Sequence, residues 1–587
     1  MPIEDVQKGM SGVGITVFDG TTREEFIVHI LGTLTNAMGP KRNLIIARLE
    51  GGPLESTGVI QGMSGSPVYI DDRLVGAISY SLGSFPKQAI AGITPIGEML
   101  ADDKIPLIAS DFSSNVDAFE LSDGGGFTFR ESLFGPRQAF VQRPTDITSS
   151  GLTPDQAARF GTLLTPIATP LSLSGFDPEL QDLWTRALRP VGMVATVGGL
   201  NLSQDQTFST ATLQPGDAIG ANLITGDFSM SGSGTVTLVE DDRVYAFGHP
   251  FYNLGPARYP MTRTNVTTLL PSVASSARMS SVGEIIGTFD QDRATGIFGT
   301  LGPGPEMIPV SITLSSEERR LEETFNFEVI NDRFFTPLLT YTGVLNTFFS
   351  WTRQVGAGTF EIDSSVALSG VPDVTLRNLF TGDSAATSAA ATLFTSLSVL
   401  NSNPFKPVTI KEISIKITSS EASKFSTLER VWIDSEKLQA GSTVPLRLAT
   451  RDSDGSLSVT TLVIALPEHI HGQVQLRVSD STAFRQQTIQ DSKHPAGAKT
   501  LIQLLRAINT TPQNDHLYIS LIADRPGAIV RGELLPALPS SIISVLEGDR
   551  SSGDFRSLSH ETVSSWLLQT SEVVTGSRFL SFNIEAR

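Results

Sequence analysis

Glycine and proline interrupt this chain so often that long uninterrupted helices are excluded for most of its length. Among 587 residues, 52 are Gly and 33 are Pro, while 40% are hydrophobic and 18% are charged. Short apolar or alternating runs between such residues are typical of strands joined by tight turns. The balance therefore predicts a mainly β fold with buried cores, and not a disordered chain or a helical bundle.

The length predicts several domains, because one domain usually holds roughly 100–200 residues. Strand-like sequence dominates two separate regions, and a third region with alternating strands further along the chain favours a β-sandwich. The predicted divisions are a first β lobe at 1–110, a mixed α/β insert or connector at 111–204, a second β lobe at 205–350, a β-sandwich-like domain at 351–485 and a C-terminal α/β region at 486–587.

Three helix starts are predicted in this β background. Thr153-Pro154 and Asp177-Pro178 each place a capping residue before a proline at the first helical position. A further helix is expected at 500–508.

The amino-acid composition excludes several classes of binding partner and of catalytic or metal-binding site. A formal charge of −18 argues against a nucleic-acid surface or an anionic membrane surface, which would both need clusters of Lys and Arg. The absence of Cys excludes disulfides, thiolate metal sites and a cysteine nucleophile. No apolar run approaches the roughly 20 residues that a membrane-spanning helix needs, so no integral membrane segment is expected. The first residues lack the features of a signal peptide.

The stretch Gly62-Met63-Ser64-Gly65-Ser66-Pro67 is the sharpest local motif. Small residues on both sides of Ser64 allow a tight turn that exposes the hydroxyl and points the N–H groups of Gly62, Met63 and Ser64 into one cavity. The motif predicts a nucleophile with an oxyanion hole, and the structural alternative is a plain Gly/Ser turn. Ser66 is the less favourable nucleophile, because Pro67 follows it and lacks an N–H donor.

A serine hydroxyl needs a base, and histidine is the usual one because its pKa lies near neutrality. His249 is the strongest of the seven histidines, since it follows a predicted strand and sits between Gly248 and Pro250. His29 lies in an alternating strand and is expected to pack or face solvent. The remaining five carry no complete metal site or catalytic pattern and are expected at the surface or in structural roles: His469 and His471, which form a His-x-His pair, and His494, His516 and His560.

Two hairpins in the two β lobes look alike. Both carry an Asp-Asp-Arg turn between strands, centred on Asp71 and Asp241. Polar turns commonly converge on acidic residues, which is the simpler explanation. The alternative is a pair of related lobes, with the nucleophile entering one hairpin and the histidine leaving the other.

Three stretches of this sequence resemble the SpoIVB peptidase family, a family of sporulation serine peptidases. They are the stretch from Gly58 to Val68, the stretch Tyr245-Ala246-Phe247-Gly248-His249, and the stretch from Gly296 to Leu301. The resemblance covers roughly residues 1–105 and 205–345, and it implies a two-lobed, trypsin-like β-barrel core with Ser64 as nucleophile and His249 as base. In the family the histidine region precedes the serine region, so this chain resembles a circular permutation of that arrangement.

The third member of a catalytic triad is harder to place. In the family an Asp lies about fifteen residues before the nucleophile, and the equivalent position here is Leu49. Glu50 is the substitute that we select, and the alternatives are Glu55, Asp290 and Asp292. A glutamate can orient an imidazole, but its extra methylene requires a shifted backbone.

The sequence therefore predicts a serine endopeptidase that forms an acyl-enzyme on protein or peptide substrates, needs no metal or organic cofactor and, by family resemblance, cleaves itself. The alternative function is a non-catalytic, exported binding or scaffold protein on a degenerate peptidase fold. By family resemblance the protein is expected to be secreted or in the cell envelope, with a signal peptide upstream of this sequence. Substrate preference and oligomeric state are left open.

Overall fold

The computed structural model confirms a mainly β chain with a β-barrel peptidase fold. Its chain forms two compact units, the first made of residues 1–112, 123–309 and 326–342 and the second of residues 113–122, 310–325 and 343–587. The described residues are 1–82, 88–105, 164–181, 184, 193–198, 212–272, 276–316, 318, 321–351, 358–435, 437–492, 498, 500–525, 527–530, 533–535, 539–548, 555–558 and 560–586.

The first unit begins with a closed six-stranded barrel, the serine barrel. Its strands pair in the cyclic order β1-β2-β3-β6-β5-β4, and the pairing of β4 with β1 closes the ring. Aliphatic side chains that alternate along these strands fill the interior, as in Val28, Ile45 and Ile93. The strands are β1 (Ser11–Asp19), β2 (Thr22–Gly39), β3 (Arg42–Glu50), β4 (Pro67–Ile70), β5 (Arg73–Leu82) and β6 (Ile90–Pro95).

Three short strands follow the first barrel in the described sequence. The strand β7 pairs with β5, while β8 and β9 pair with each other in parallel. They are β7 (Leu164–Pro166), β8 (Thr169–Ser174) and β9 (Met193–Val197).

The same unit contains a second closed barrel of six strands, the histidine barrel. Its cyclic order is β10-β11-β12-β15-β14-β13, and β10 pairs with both β11 and β13. The strand β8 extends this sheet by pairing with β11. The strands are β10 (Ala218–Gly226), β11 (Ser229–Glu240), β12 (Arg243–Ala246), β13 (Gly255–Leu270), β14 (Ala277–Arg293) and β15 (Gly296–Leu301).

The two barrels have one strand order. Numbered from the first strand of each, both run 1-2-3-6-5-4 around the ring. The two Asp-Asp-Arg hairpins, however, occupy different places in that order: the first joins strands four and five of its barrel, and the second joins strands two and three. The lobes are therefore related by topology, while the similar hairpins reflect the common chemistry of polar turns.

The second unit contains four strands of a larger sheet, two sheets that form a sandwich and a small three-stranded sheet. In the first sheet β16 pairs in parallel with β20, which continues through β18 to β19. The strands up to this point are β16 (Met307–Ser316), β17 (Leu321–Ile330), β18 (Gly358–Leu368), β19 (Val374–Gly382) and β20 (Ile410–Ser420).

Two further sheets share one apolar core and form the sandwich. Their orders are β23-β22-β21-β30 and β29-β25-β24-β31, and the core joins residues such as Leu446 and Leu476. Strands on both sides of the predicted boundary between residues 485 and 486 thus lie in one sandwich. The strands of the sandwich are β21 (Phe425–Ile433), β22 (Thr443–Asp452), β23 (Leu457–Ala465), β24 (Gly472–Ser479), β25 (His516–Ala523), β29 (Glu561–Gln569), β30 (Val573–Thr575) and β31 (Ser577–Ile584). A separate three-stranded sheet has the order β27-β26-β28 and consists of β26 (Gly527–Val530), β27 (Glu533–Leu535) and β28 (Phe555–Leu558).

Helices are few among the described residues. The predicted helix at 500–508 corresponds to α6, and its Thr500 hydroxyl accepts a hydrogen bond from the Gln503 N–H as an N-cap. Asp177 likewise accepts from the Glu179 N–H at a helical start, whereas Thr153-Pro154 lies outside the described residues. The helices are α1 (Leu54–Thr57), α2 (Ile96–Asp103), α3 (Phe335–Trp351), α4 (Ala385–Asn401), α5 (Ser481–Ser492), α6 (Leu501–Asn509) and α7 (Ser540–Gly548).

Candidate active site

Ser64 lies in the loop between the third and fourth strands of the serine barrel. The glycines Gly62 and Gly65 have φ angles of 94° and 96°, a conformation that side chains rarely adopt. A side chain at Gly65 has no room, because its Cβ would lie 2.0 Å from the Thr235 carbonyl oxygen and 2.6 Å from the Phe247 nitrogen. The glycines thus let the loop pack with its backbone directly against the histidine barrel.

His249 lies at the corresponding place in the other barrel, between its third and fourth strands. The two residues before it have left-handed conformations, with φ of 70° at Phe247 and 69° at Gly248. The Gly248 carbonyl accepts a hydrogen bond of 2.7 Å from the Thr94 hydroxyl, and a Cβ on Gly248 would lie 2.9 Å from the Ala77 Cβ. Strands of the serine barrel therefore hold the histidine loop in place, and the strained backbone of Phe247 is typical of functional sites.

One residue of the histidine barrel connects both loops. The Thr235 N–H donates to the Ser64 carbonyl at 2.8 Å, and the Thr235 carbonyl accepts from the Phe247 N–H at 3.2 Å. The Thr235 hydroxyl also donates to the Gly62 carbonyl at 3.1 Å. These bonds bring the loops of Ser64 and His249 together although 184 residues separate them in the chain.

The hydrogen bond of the His249 ring defines its protonation. Its Nδ1 lies 2.9 Å from the Pro250 carbonyl oxygen, which only accepts, so Nδ1 carries the proton and Nε2 has a free lone pair. Burial lowers the pKa of His249 to about 4, an effect that the Pro250 carbonyl partly opposes. The imidazole is therefore neutral near pH 7 and in the tautomer that a general base needs.

The Ser64 hydroxyl and the His249 ring are both buried. The Ser64 side chain is 0% exposed and that of His249 is 2% exposed. Neither the Ser64 Oγ nor the His249 Nε2 makes a hydrogen bond within the described part of the chain. Because an unpaired buried polar atom costs about 1–3 kcal/mol, such atoms in native proteins call for a functional explanation.

The backbone of the Ser64 loop presents two of the three predicted oxyanion donors. The Met63 N–H donates to the Ile60 carbonyl at 3.2 Å, so this group is not available. The N–H groups of Gly62 and Ser64 make no hydrogen bond among the described residues. An oxyanion hole in this loop would use Gly62 and Ser64 and leave out Met63, because the turn that places Ser64 consumes the Met63 donor.

Arg278 supports the same loop and was not predicted from the sequence. It is 1% exposed, donates to the Gly62 carbonyl at 2.7 Å and to the Thr235 hydroxyl at 3.1 Å, and also donates to the Thr16 hydroxyl. Burial lowers its pKa to about 9, so the guanidinium stays charged at neutral pH. This cation holds the Gly62 carbonyl and therefore fixes the peptide unit between Gly62 and Met63.

Asp292 is the buried carboxylate nearest in structure to the histidine loop. Its side chain accepts N–H hydrogen bonds from Phe251 at 2.9 Å, Tyr252 at 2.7 Å and Leu254 at 3.3 Å. Burial raises the pKa of Asp292 to about 6, against the lowering effect of these bonds. The carboxylate thus fixes the backbone directly after His249 and Pro250.

The other candidate acids have different partners. Glu50 contacts the His29 Nε2 at 3.1 Å and lies 3.8 Å from Arg48, with 48% of its side chain exposed. Asp290 pairs with Arg243 at 2.6 Å, and Glu55 is exposed. No contact between His249 and Glu50 is described, so Glu50 stays a prediction that this geometry does not favour.

The remaining candidates have structural surroundings. The Ser66 hydroxyl donates to the Met63 carbonyl at 2.6 Å and to Thr16, which ties down the loop. His516 is 7% exposed and pairs with Asp515, so the expected surface position is wrong because this residue begins a buried strand. His560 is exposed, while His494 lies outside the described residues.

Metal sites and membrane-spanning helices are both absent from the described residues. These residues contain no group of three or more His, Asp or Glu side chains placed to hold a metal ion. None of their helices is both long and apolar enough to cross a membrane.

Comparison with known proteins gives one match. The family model of the SpoIVB peptidase S55 family matches residues 2–95, which include the whole serine barrel and Ser64. This match confirms the resemblance predicted from the sequence and suggests a serine peptidase. No curated protein and no solved structure matches the chain.

Proposed function

We propose that this protein is a serine endopeptidase with Ser64 as nucleophile and His249 as general base. The observation that carries the proposal is the pair of buried, unpartnered reactive atoms on two loops that Thr235 connects. Buried hydroxyls in ordinary turns are normally hydrogen-bonded, so an unpaired buried hydroxyl near a histidine loop with an unpaired ring nitrogen favours a functional role over a simple Gly/Ser turn. The family match over the serine barrel supports the same assignment.

The chemistry begins with attack of the Ser64 Oγ on the carbonyl carbon of the cleaved peptide bond. The His249 Nε2 takes the serine proton and passes it to the leaving amine when the C–N bond breaks. A water molecule then attacks the resulting ester, with His249 again as base, and releases a carboxylate. The N–H groups of Gly62 and Ser64 stabilise the negative oxygen in both steps.

The orienting partner of the imidazole in this proposal is a backbone carbonyl. The Pro250 oxygen holds the Nδ1 proton, and Asp292 holds the residues that follow Pro250. Asp292 is then a positioning residue that acts through the loop, and Glu50 has no role in catalysis. This arrangement explains how a histidine can be oriented although the family Asp position is occupied by Leu49.

An active-site fluorophosphonate probe tests the proposal on the full chain. We expect wild-type protein to be labelled, Ser64→Ala to lose labelling completely, and His249→Ala to react at least 100-fold more slowly. Ser11→Ala is a control, because the Ser11 hydroxyl lies 3.0 Å from a histidine nitrogen, the His29 Nδ1, at an exposed position away from the candidate site. Its labelling should equal that of wild type.

Two outcomes contradict the proposal. One is a folded protein that is not labelled at all under any condition, including after removal of the segment contact described below, which would favour the non-catalytic binding protein. The other is labelling that persists in Ser64→Ala. Circular dichroism and a melting curve for each variant separate loss of chemistry from loss of folding.

We also propose that the protein cleaves itself, as the family resemblance implies. Ser64-dependent cleavage would produce fragments that appear at a rate independent of protein concentration. Intact mass spectrometry of wild type and Ser64→Ala, incubated in parallel, checks this. Identical intact masses in both samples would count against self-cleavage.

A secreted or cell-envelope location is proposed on the same family basis. Fractionation of cells that express the natural gene, followed by N-terminal sequencing, would reveal an upstream signal peptide and its removal. Recovery of unprocessed protein in the cytoplasm alone would contradict the proposed location.

A further inference from the structure

The segment 164–170 runs beside the loop that holds Ser64. It leaves the serine barrel as β7, passes the Ser64 loop and joins the histidine barrel as β8. At the crossing, the Pro170 Cγ lies 3.2 Å from the position that a Cβ on Gly62 would take. The chain therefore lies directly on the loop that holds the nucleophile.

The backbone of this segment binds the serine barrel as an added strand. The β5 residue Ile78 exchanges hydrogen bonds with the Ser64 loop, through the Gly65 N–H at 2.7 Å and the Ser66 carbonyl at 2.9 Å. One residue further along β5, the Ser79 carbonyl accepts the Ile167 N–H at 2.9 Å. Ile167 thus takes over as the partner of β5 at the point where the nucleophile loop leaves it.

The antiparallel pairing continues away from Ser64. Tyr80 pairs with Pro166 and Ser81 with Thr165, whose hydroxyls lie 3.3 Å apart. Addition of an extended peptide to a sheet edge is a common way to bind peptides, because backbone hydrogen bonds give affinity and side-chain pockets give specificity. The segment has this geometry.

The Ile167 side chain occupies an apolar pocket next to the nucleophile. It is 2% exposed and belongs to the core cluster of the serine barrel that includes Met63, Ile60 and Ile78. Thr165 and Pro166, by contrast, are exposed. Between the exposed Thr165 and Pro166 and the partly buried Ala168, Ile167 is therefore the buried anchor, as a side chain is when its pocket determines peptide recognition.

We propose that residues 164–168 occupy the peptide-binding cleft of Ser64, with Ile167 in the pocket for the residue on the acyl side of the cleaved bond. The cleft then selects extended peptides with an aliphatic residue at that position, and the chain's own segment competes with them. This inference rests on the proposed function for the identity of the reactive group, but the occupancy itself can be tested without catalysis.

A binding experiment in the Ser64→Ala background tests occupancy alone. The probe is a fluorescent peptide with the sequence of residues 164–169, LTPIAT, and the control peptide has lysine in place of isoleucine. We expect Ile167→Lys to expel the segment, since a buried unpaired ammonium is costly, and to bind the probe at least tenfold more tightly than the parent. Ile167→Val should retain the parent behaviour.

A milder variant covers the case in which Ile167→Lys does not fold. Ile167→Ala removes most of the pocket contact without adding a charge, and it should shift binding in the same direction by a smaller factor. Equal binding of the probe to the parent, Ile167→Lys and Ile167→Ala would overturn the proposal. Equal binding of the isoleucine and lysine peptides would overturn the assigned pocket.

Labelling with the fluorophosphonate probe then distinguishes this inference from the proposed function. In the wild-type Ser64 background, Ile167→Lys should be labelled at least tenfold faster than Ile167→Val, because the nucleophile becomes accessible. Equal labelling rates in both variants would contradict the proposal that residues 164–168 occupy the cleft. They would not contradict the proposed peptidase activity. Peptide binding without any labelling would support a peptide-binding cleft at this place and would contradict the proposed peptidase activity.

Discussion

The serine barrel and the histidine barrel share one strand order but are filled in different ways. Aliphatic residues such as Val28, Ile45 and Ile93 fill the serine barrel. In the histidine barrel, glycines of β11 make room for aromatic rings: a Cβ on Gly232 or Gly234 would lie 2.4 Å from the ring of Phe251 or Phe247. One topology thus accepts two kinds of core.

This difference has a consequence for the site. The rings of Phe247 and Phe251 flank His249 in the chain, so the packing of the histidine barrel fixes the backbone of the base. Ser64 depends instead on glycines that let its loop reach the other barrel. The loop of His249 is held by large aromatic side chains. The loop of Ser64 is held by its backbone, because its glycines have no side chain and allow close approach to the other barrel.

Substitution at Gly65, where the Ser64 loop packs against the histidine barrel, should have the largest effect on labelling and stability. In Gly65→Ala the new Cβ would lie 2.0 Å from the Thr235 carbonyl, in addition to the strain of a φ of 96°. We expect labelling of Ser64 to fall at least 100-fold and the free energy of unfolding to fall by about 3 kcal/mol. Gly20→Ala is the control, since Gly20 also has a positive φ, of 59°, but meets no atom within 4 Å; it should lose only about 1 kcal/mol. Equal losses in chemical denaturation would contradict this assignment.

Removal of bulk should weaken the serine barrel. Ile45 is fully buried, and Ile45→Ala leaves a cavity among aliphatic side chains. The expected loss in the free energy of unfolding is about 2–5 kcal/mol, measured by urea denaturation. A loss below about 1 kcal/mol would show that the barrel collapses around the gap and is not tightly packed.

Addition of bulk should weaken the histidine barrel. Gly234→Ala places a methyl group against the Phe247 ring, and overpacking of this kind costs about 1–3 kcal/mol. Gly97→Ala in α2 meets no atom within 4 Å and should be neutral or stabilise the protein by up to about 1 kcal/mol. Equal free energies of unfolding for Gly234→Ala and Gly97→Ala would contradict the assignment that the Phe247 ring needs the space left by Gly234.

The smallest expected effect concerns the pH dependence of the histidine loop. The pKa of Asp292 is raised to about 6 by burial, and that of His249 is lowered to about 4, so Asp292 titrates first as the pH falls. The labelling rate of wild type should fall as the pH drops through about 6, because a protonated carboxyl holds the N–H groups of the loop less well.

Asp292→Asn should be labelled about tenfold more slowly at pH 7.5 and should lack this pH dependence. A native pKa above the unfolded value of about 3.9 means that ionised Asp292 destabilises the fold at pH 7. Wild type should therefore gain stability relative to Asp292→Asn as the pH is lowered from about 7 to about 4. Asp290→Asn, which disturbs the pair with Arg243, is the control; the same labelling profile in both variants would contradict a positioning role for Asp292.

Local sequence predicted much of the site. The Gly-rich motif around Ser64 and the Gly-His-Pro stretch at His249 encode their own backbone conformations, and both lie in turns as expected. The choice of Glu50 failed to gain support because distance along the chain does not determine which side of a strand faces the site. Glu50 points to the barrel exterior and meets His29 across β2 and β3.

Other contributors had no local signal. Arg278 lies in strand-like sequence without a distinctive motif, and only the packing of the two barrels shows that its guanidinium reaches the Gly62 carbonyl. The same applies to Ile167, an ordinary aliphatic residue until β7 pairs with β5. Likewise, the C-terminal strands looked separate from the preceding sandwich because pairing partners far apart in sequence leave no trace in local periodicity.

By itself, the sequence determined that the chain is mainly β, that Ser64 sits in a tight glycine turn and that His249 lies in a turn after a strand, because turns and strands follow from local chemistry. The tertiary structure decided which N–H groups of the Ser64 loop lack a partner among the described residues, that Asp292 holds the loop after His249, and that residues 164–170 pass the Ser64 loop. Those properties depend on contacts across the two barrels, and such contacts exist only once the rings have closed and packed against each other.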